Sequence, residues 1–150
     1  MWFRRAKDQS LEAHAATVER ILADIKVNPA EARLPIEDGF GWSFRHGSAT
    51  IEIYVSQKDG RGFLQVLSPI MHLPQTGLLA LYRRLLELNL QLTNASLGVY
   101  LDVVYIYNER PLAGLDPVEA NTIIELIAGY ADELDNELVN EFGGRLYSQP

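Results

Sequence analysis

The chain has 150 residues, of which 47% are hydrophobic and none is cysteine, and its formal charge is −7. The missing cysteine excludes disulfides, thiolate metal sites and cysteine nucleophiles, and the charge, +2 over residues 1–84 and −9 over residues 85–150, leaves no cation cluster for direct nucleic-acid binding. No stretch approaches the roughly 20 apolar residues of a membrane span, and no apolar run follows the basic start as a secretory signal requires, so we expect one cytoplasmic domain over residues 1–150 without a membrane partner.

The first predicted element is an amphipathic helix. Either Asp8 or Ser10 can cap its first amides. Its apolar stripe, at alternating steps of four and three, consists of Leu11, Ala15, Val18, Leu22 and Ile25. The helix is expected to end at residues 27–29, because a residue before proline leaves the helical region, and residues 28–40 are predicted to be a connecting segment.

Three strands follow, because the apolar period changes to two at Gly41. The inward positions of the first two strands are Trp42, Phe44, Ile51, Ile53 and Val55. Turns are predicted at residues 46–48 and 58–62, where glycines supply positive φ. The third strand, residues 63–67, is apolar on both faces apart from Gln65, which favours a central place in the sheet.

The second helix, opening at Thr76, has an apolar arc of about 200°, wider than the stripe of an ordinary surface helix. It is therefore predicted to be covered on more than one side, and a two-fold homodimer is the commonest way to cover the excess. The residues predicted for the dimer interface are Leu79, Tyr82 and Leu86. Asn89 lies within the apolar arc, where its amide is expected to hold the following loop or strand.

Two strands and a third helix complete the chain, giving the order α-βββ-α-ββ-α. Leu97, Val99 and Leu101 are predicted to point inward with Val104 and Ile106 across a turn near residues 101–102. The last helix has Asp116 as its cap, Pro117 at its first position and Glu119 completing a capping box. Its stripe consists of Ala120, Ile124, Ile127, Ala131, Leu134, Leu138 and Phe142, and it stops at Gly143.

Several segments of the chain resemble the YbjN-like family of small bacterial proteins. The matching segments are residues 85–89 (LLELN), Arg110-Pro111-Leu112 leading to Leu115-Asp116, and the last helix with Ala131-Asp132 and the ending Phe142-Gly143. Together they span about 100 residues, from Gly41 to Gly144. The resemblance implies an α+β fold similar to type III secretion chaperones, with a bent five-stranded antiparallel sheet and three helices, usually paired as a homodimer. It also implies no enzyme activity and a loose connection to regulation and protein binding.

The residues that could carry chemistry do not form a catalytic or metal-binding pattern. His14, placed near the polar side of the first helix, His46 and His72 lack the spacing of a metal site, and no cofactor motif is present. The carboxylates of the last helix, including Asp132 and Asp135, are predicted to be a solvated face, with attraction of a basic partner as the weaker interpretation. We therefore predict no catalytic residues, no metal and no cofactor.

The tyrosines give the clearest functional hypothesis. Tyr100, Tyr105 and Tyr107 share one face of the last two strands, and Tyr54 joins them if it lies on the same side of the sheet. Exposed aromatic patches are typical of interfaces, although the middle helix could cover these rings instead. We predict a non-enzymatic, chaperone-like or adaptor-like module that holds an extended or amphipathic segment of a partner protein. The alternative is a small-molecule binder or enzyme with a pocket between sheet and helices.

Overall fold

A computed structural model of the chain describes residues 10–148. The helices are α1 (Leu11–Asp24), α2 (Pro29–Ala32), α3 (Leu78–Asn89) and α4 (Pro117–Phe142). The strands are β1 (Arg33–Leu34), β2 (Gly39–His46), β3 (Ala49–Lys58), β4 (Arg61–His72), β5 (Ser96–Tyr100), β6 (Val103–Pro111) and β7 (Arg145–Leu146). The predicted α+β class is right, but the prediction of five strands and three helices is wrong, since residues 10–148 form seven strands and four helices.

The elements missing from the prediction are short. α2 and β1 lie within residues 28–40, the predicted connecting segment, and β7 follows the end of α4. Two to four residues are too few to establish a period of 3.6 or 2, so these elements leave no pattern in the sequence. Local chemistry still explains α2, because Asn28 accepts a hydrogen bond from the Ala30 N–H at 3.0 Å and Pro29 occupies the first turn.

All strand pairs are antiparallel, and the sheet has the order β1-β2-β3-β4-β6-β5, with β7 pairing to the end of β4. The central place predicted for residues 63–67 is right: they belong to β4, which lies between β3 and β6. The predicted turns are also present, at residues 47–48 and 59–60. A register shift lies between Pro69 and Met71, opposite β6. Strand β5 forms one edge of the sheet.

One face of the sheet is covered by α1 and α4. The inward residues of β3, β4 and β6 are fully buried there, among them Ile53, Val66 and Ile106 at 0% exposure. The predicted stripe of α4 is correct, since Ala120, Ile124, Ile127, Ala131, Leu134 and Leu138 are all buried. Two residues correct the predicted inward set: Leu101 lies in the β5–β6 turn with φ 47° and is 78% exposed, and Val99 of the edge strand is 41% exposed.

The end of each helix has a local cause. Ser10 caps α1, and Asp8 lies outside the described residues. α1 ends at Asp24, earlier than predicted, and α3 begins at Leu78 after Gly77 rather than at Thr76. α4 begins as predicted, because the Asp116 carboxylate accepts from the Glu119 N–H at 2.8 Å.

The predicted capping box of α4 is only half formed. The Glu119 carboxylate accepts a hydrogen bond from Arg110 at 2.7 Å and so ties the end of β6 to the first turn of α4. Arg110 also donates to the carbonyls of Pro111 and Ala113. Within residues 10–148, no helix combines the length and apolar composition that crossing a membrane requires.

Candidate functional site

The strand register places all four predicted tyrosines on the face of the sheet opposite α1 and α4. Tyr54 of β3 lies opposite Gln65 of β4, which in turn lies opposite Glu109 of β6. Tyr107 lies opposite Leu67, two residues along the same strands. Because directly opposed residues in an antiparallel pair point to the same side, these side chains form one continuous surface.

Strand β5 extends this surface to the edge of the sheet. Gly98 lies opposite Tyr105, and Tyr100 lies opposite Val103. The surface forms a shallow, open depression with a volume of about 540 Å³. We call it the tyrosine groove; its lining residues are Glu52, Tyr54, Gln65, Leu67, Gly98, Val99, Tyr100, Tyr105, Tyr107 and Asn108.

Two glycines make room for the rings. A Cβ at Gly41 would lie 3.0 Å from the ring of Tyr54, so a larger residue would displace this ring. Gly98 leaves open the space beside Tyr107, whose ring would be 3.8 Å from an added Cβ. The position of the Tyr54 ring therefore depends on the missing side chain at Gly41, whereas a Cβ at Gly98 would make only ordinary van der Waals contact with Tyr107.

The middle helix, α3, does not cover the tyrosines, which was the alternative left open by the sequence. No α3 residue lines the groove, and Tyr100 and Tyr107 are 67% and 44% exposed. Tyr54 and Tyr105 are partly buried. The four rings are therefore left uncovered by α3 and are held by an ordered sheet.

The groove contains a carboxylate that the sequence analysis did not single out. Glu52 is partly buried and accepts a hydrogen bond from the Tyr54 hydroxyl at 3.3 Å. Burial raises the pKa of Glu52, and the hydrogen bond from Tyr54 partly offsets this effect. Burial, followed by the charge of Glu52 and the hydrogen bond to it, raises the pKa of Tyr54 to about 12. Burial is also the main cause of the raised pKa of Tyr105.

A second exposed apolar surface lies on α3. The helix buries Leu81, Leu85 and Leu88 in the common core. The three residues predicted for a dimer interface remain exposed, Leu79 at 85%, Tyr82 at 37% and Leu86 at 69%, and Leu90, directly after the helix, is 91% exposed. Within one chain, α3 is thus covered on one side only, and the covering of its remaining apolar side by a second subunit stays a prediction.

Two carboxylates of α4 do not belong to the solvated face that was predicted for them. Asp132 accepts hydrogen bonds from the Ser48 backbone N–H at 3.0 Å and from the Ser48 hydroxyl at 3.1 Å, which lower its pKa. Asp135 is only 2% exposed and also accepts from the Ser48 hydroxyl, at 2.7 Å. Burial raises the pKa of Asp135. These two carboxylates hold the β2–β3 turn against α4, so only the remaining acids, such as the exposed Glu133, fit the predicted solvated face.

The predicted role of Asn89 is correct. Its side-chain amide accepts from the Leu97 N–H at 2.7 Å and donates to the Leu97 carbonyl at 3.4 Å, which joins the end of α3 to β5. The histidines do not converge: His46 ends β2, His72 stacks on Tyr147, and His14 is 6% exposed rather than near the polar side. Over residues 10–148, no three His, Cys, Asp or Glu side chains are grouped as a metal site.

The space beside the helices differs in size between two places. The cavity between α1, α4 and the sheet, lined by residues such as Thr17, Val55 and Leu64, has a volume of about 10 Å³, about that of one water. A larger depression of about 710 Å³ lies where Ser10, the β3–β4 turn and the β6–α4 loop meet. It contains none of the predicted site residues, and much of its lining comes from turns and loops rather than from a sheet face.

Comparison with known proteins places this geometry in a family. A family model described as "T3SS (YopN, CesT) and YbjN peptide-binding chaperone 1" matches residues 12–150. The YbjN-like resemblance predicted over residues 41–144 is thereby confirmed, and it extends to α1. No curated protein gives a significant match to the chain.

Solved structures with the same fold include a chain of the ExsC–ExsE complex, which has a TM-score of 0.63 at 12% identity over 85% of this chain and 95% of that one. A chain of the HopA1–SchA chaperone–effector complex has a TM-score of 0.60 at 12% identity, over 87% of this chain and 99% of that one. At this identity the likeness establishes the fold, which is that of secretion chaperones, as predicted.

Proposed function

We propose, starting from the fact that this chain belongs to the T3SS and YbjN peptide-binding chaperone family, that its tyrosine groove holds an extended or amphipathic segment of a partner protein. The family description and the fold point to a non-enzymatic binding protein. In this proposal the whole chain forms one domain, and the domain acts in the cytoplasm. A regulatory role, in which holding the segment withdraws the partner from other interactions, belongs to the same proposal.

The observation that carries the proposal is the concave arrangement of four tyrosine rings on the sheet face opposite α1 and α4. A tyrosine ring buries a large area, loses few side-chain torsions on binding, and keeps a hydroxyl for hydrogen bonding. The rings are already ordered by the sheet, whereas a flexible segment has to become ordered on binding. We therefore expect affinities around the micromolar range rather than the picomolar range.

The cavity between α1, α4 and the sheet is too small for the alternative of a small-molecule binder, which leaves the depression of about 710 Å³ beside the start of α1 as the place for such a ligand. A ligand pocket usually encloses several hundred Å³, whereas the cavity between α1, α4 and the sheet has about 10 Å³. The acidic side of α4 is the other candidate docking surface. Asp132 and Asp135 are already engaged by Ser48, which reduces the number of carboxylates free to attract a basic partner.

Site-directed photo-crosslinking tests where a partner binds. A photoreactive phenylalanine analogue placed at Tyr107 reports on the groove, and the same analogue at Val118 of α4, 76% exposed on the other side of the molecule, is the matched control. We expect crosslinks from position 107 to one recurring segment of a partner, identified by mass spectrometry. Crosslinks from position 118 to this segment, without any from position 107, would refute the proposal.

Affinity measurements with the segment identified in this way provide a second test. We expect Tyr105→Ala to weaken binding by about tenfold or more, as at an aromatic hot spot. Glu133→Lys, at an exposed position of α4, should leave the affinity nearly unchanged. The opposite result would make the acidic side of α4 the docking surface.

We also propose that the chain forms a homodimer through the exposed side of α3, centred on Leu79, Tyr82 and Leu86. The observation that supports this proposal is a row of large apolar residues on one helix, two of them more than two-thirds exposed. A monomer in water would leave this surface uncovered, and a self-complementary two-fold contact is the commonest way to bury it.

A further inference from the structure

The tyrosine groove contains a single carboxylate and no cationic residue in its lining. The carboxylate belongs to Glu52, which accepts a hydrogen bond from the uncharged hydroxyl of Tyr54. Among the ion pairs of the described residues, none includes Glu52. Glu52 is thus a partly buried carboxylate with its open side in water.

Any peptide that closes over the groove removes this water. A carboxylate that is buried without a cation or further donors is strongly unfavourable, and the cost of leaving it unpaired is larger than that of an ordinary polar group. An entirely apolar segment would therefore bind the rings and lose much of the gain at Glu52. A segment that brings its own positive charge avoids the loss and gains a charge-assisted hydrogen bond.

The rings around Glu52 favour a particular cation. Tyr54 contacts the Glu52 carboxylate directly, and the charge of Glu52 is close enough to contribute to the raised pKa of Tyr105. A flat guanidinium can stack on tyrosine faces while donating two parallel hydrogen bonds to one carboxylate, which an ammonium group cannot do. Leu67 and Val99 in the same lining offer apolar contact to the residues on either side.

We propose that the groove, holding a peptide as proposed above, selects segments in which apolar residues flank a cationic side chain, arginine above lysine, that pairs with Glu52. The acidic character of the chain, −7 overall, agrees with a partner of this charge. The inference deepens the proposed function and depends on it.

Peptide selection tests the inference with the full chain. A display library of random short peptides is selected on the wild type, on Glu52→Gln and on Glu109→Gln. The second variant is the matched control, because Glu109 lies on the same face of the sheet, hydrogen-bonded to Gln65 at 3.2 Å, but outside the lining of the groove. Equal unfolding midpoints of the three proteins establish that each one is folded.

We expect peptides selected on the wild type and on Glu109→Gln to share an arginine at one aligned position, and those selected on Glu52→Gln to lose it. Replacing this arginine by glutamine in the tightest peptide should weaken binding to the wild type by about tenfold, and should change binding to Glu52→Gln by less than about twofold.

The outcomes separate the inference from the proposed function. Peptides whose binding is lost with Tyr105→Ala, but which carry no aligned cation, would overturn the inference and leave the groove as the peptide site. Selected peptides whose binding Tyr105→Ala leaves unchanged would remove the proposed function and the inference together.

Discussion

The two faces of the sheet are made by the same strands, yet they have opposite compositions. On the covered face, neighbouring positions of β3, β4 and β6 are aliphatic and fully buried, as at Ile53 and Ile106. On the other face, the very next residues, Tyr54 and Tyr107, are tyrosines with part of their surface in water. Neighbouring residues of one strand therefore differ in their environment: one side chain is buried in the core, and the next has part of its surface in water.

The difference shows what each kind of side chain is suited for. Aliphatic side chains have no polar atom, so they gain most from a dry interior that never opens. A tyrosine can be left wet or be buried, because its hydroxyl finds a partner in either state. A face that has to exist both free and occupied is better served by tyrosines than by leucines, which would promote aggregation when uncovered.

Adjacent substitutions on β6 test this contrast directly. Ile106→Ala should lower the free energy of unfolding by about 2–5 kcal/mol, because it leaves a cavity under α4. Tyr107→Ala, one residue along and 44% exposed, should cost about 1 kcal/mol or less. Chemical denaturation of both variants measures the difference, and equal losses would show that the tyrosine face is a second core.

Two glycines in hairpin turns sharpen the contrast. They test how closely the β2–β3 turn packs against α4, which covers one face of the sheet. Gly60→Ala meets open space and should lose only about 1–3 kcal/mol of unfolding free energy from its positive φ. Gly47→Ala has the same type of strain, and its Cβ would also run into the Asp132 carboxylate. We therefore expect the larger loss for Gly47→Ala in thermal unfolding, together with a displaced β2–β3 turn.

Helix α3 carries both kinds of surface, one residue apart. Leu85, 4% exposed, belongs to the core, and Leu86, 69% exposed, belongs to the proposed dimer contact. Leu86→Glu should leave the unfolding free energy of the monomer within about 0.5 kcal/mol while abolishing the dimer, whereas Leu85→Glu should prevent folding. Light scattering measures the mass; a wild-type monomer at micromolar concentration would contradict the dimer.

The smallest expected effect is a titration within the tyrosine face. The unfolded chain releases the Tyr54 proton near the ordinary pKa of 10.0, whereas the folded protein retains it until about 12. Between these pH values the folded state holds more protons than the unfolded state, so its stability should fall as pH rises. Ultraviolet difference absorbance of Tyr54→Phe against wild type isolates the transition, and Glu52→Gln should shift it to lower pH. An unshifted transition in that variant would mean that Glu52 does not act on this hydroxyl.

The elements that are long enough to show a regular spacing of apolar residues could be predicted from the sequence. The stripe of α4, its Asp116 cap and the inward residues of β3 follow from regular spacing, and the tyrosine positions follow from strand alternation. The contact of Ser48 with Asp132 joins residues 84 positions apart, and no local pattern indicates such a pair. The role proposed for Glu52 was equally hidden, because it depends on which face of the sheet the helices leave open.

The segments that resemble the YbjN-like family contain residues that connect one structural element to another. Asn89, Arg110 and Asp132, which lie in the matching segments, each hold one element against another. Such residues explain why the fold could be recognised from short motifs, while the residues that we propose for binding lie outside these motifs.

The clasp between Asn89 and Leu97 has a mechanical consequence. Asn89 ends the helix that carries the proposed dimer contact, and Leu97 adjoins Gly98, which lines the groove. A displacement of α3 must either carry β5 with it or break both hydrogen bonds of the clasp. Pairing of two chains and occupation of the groove are thus expected to be thermodynamically linked, with each event changing the equilibrium constant of the other by the same factor.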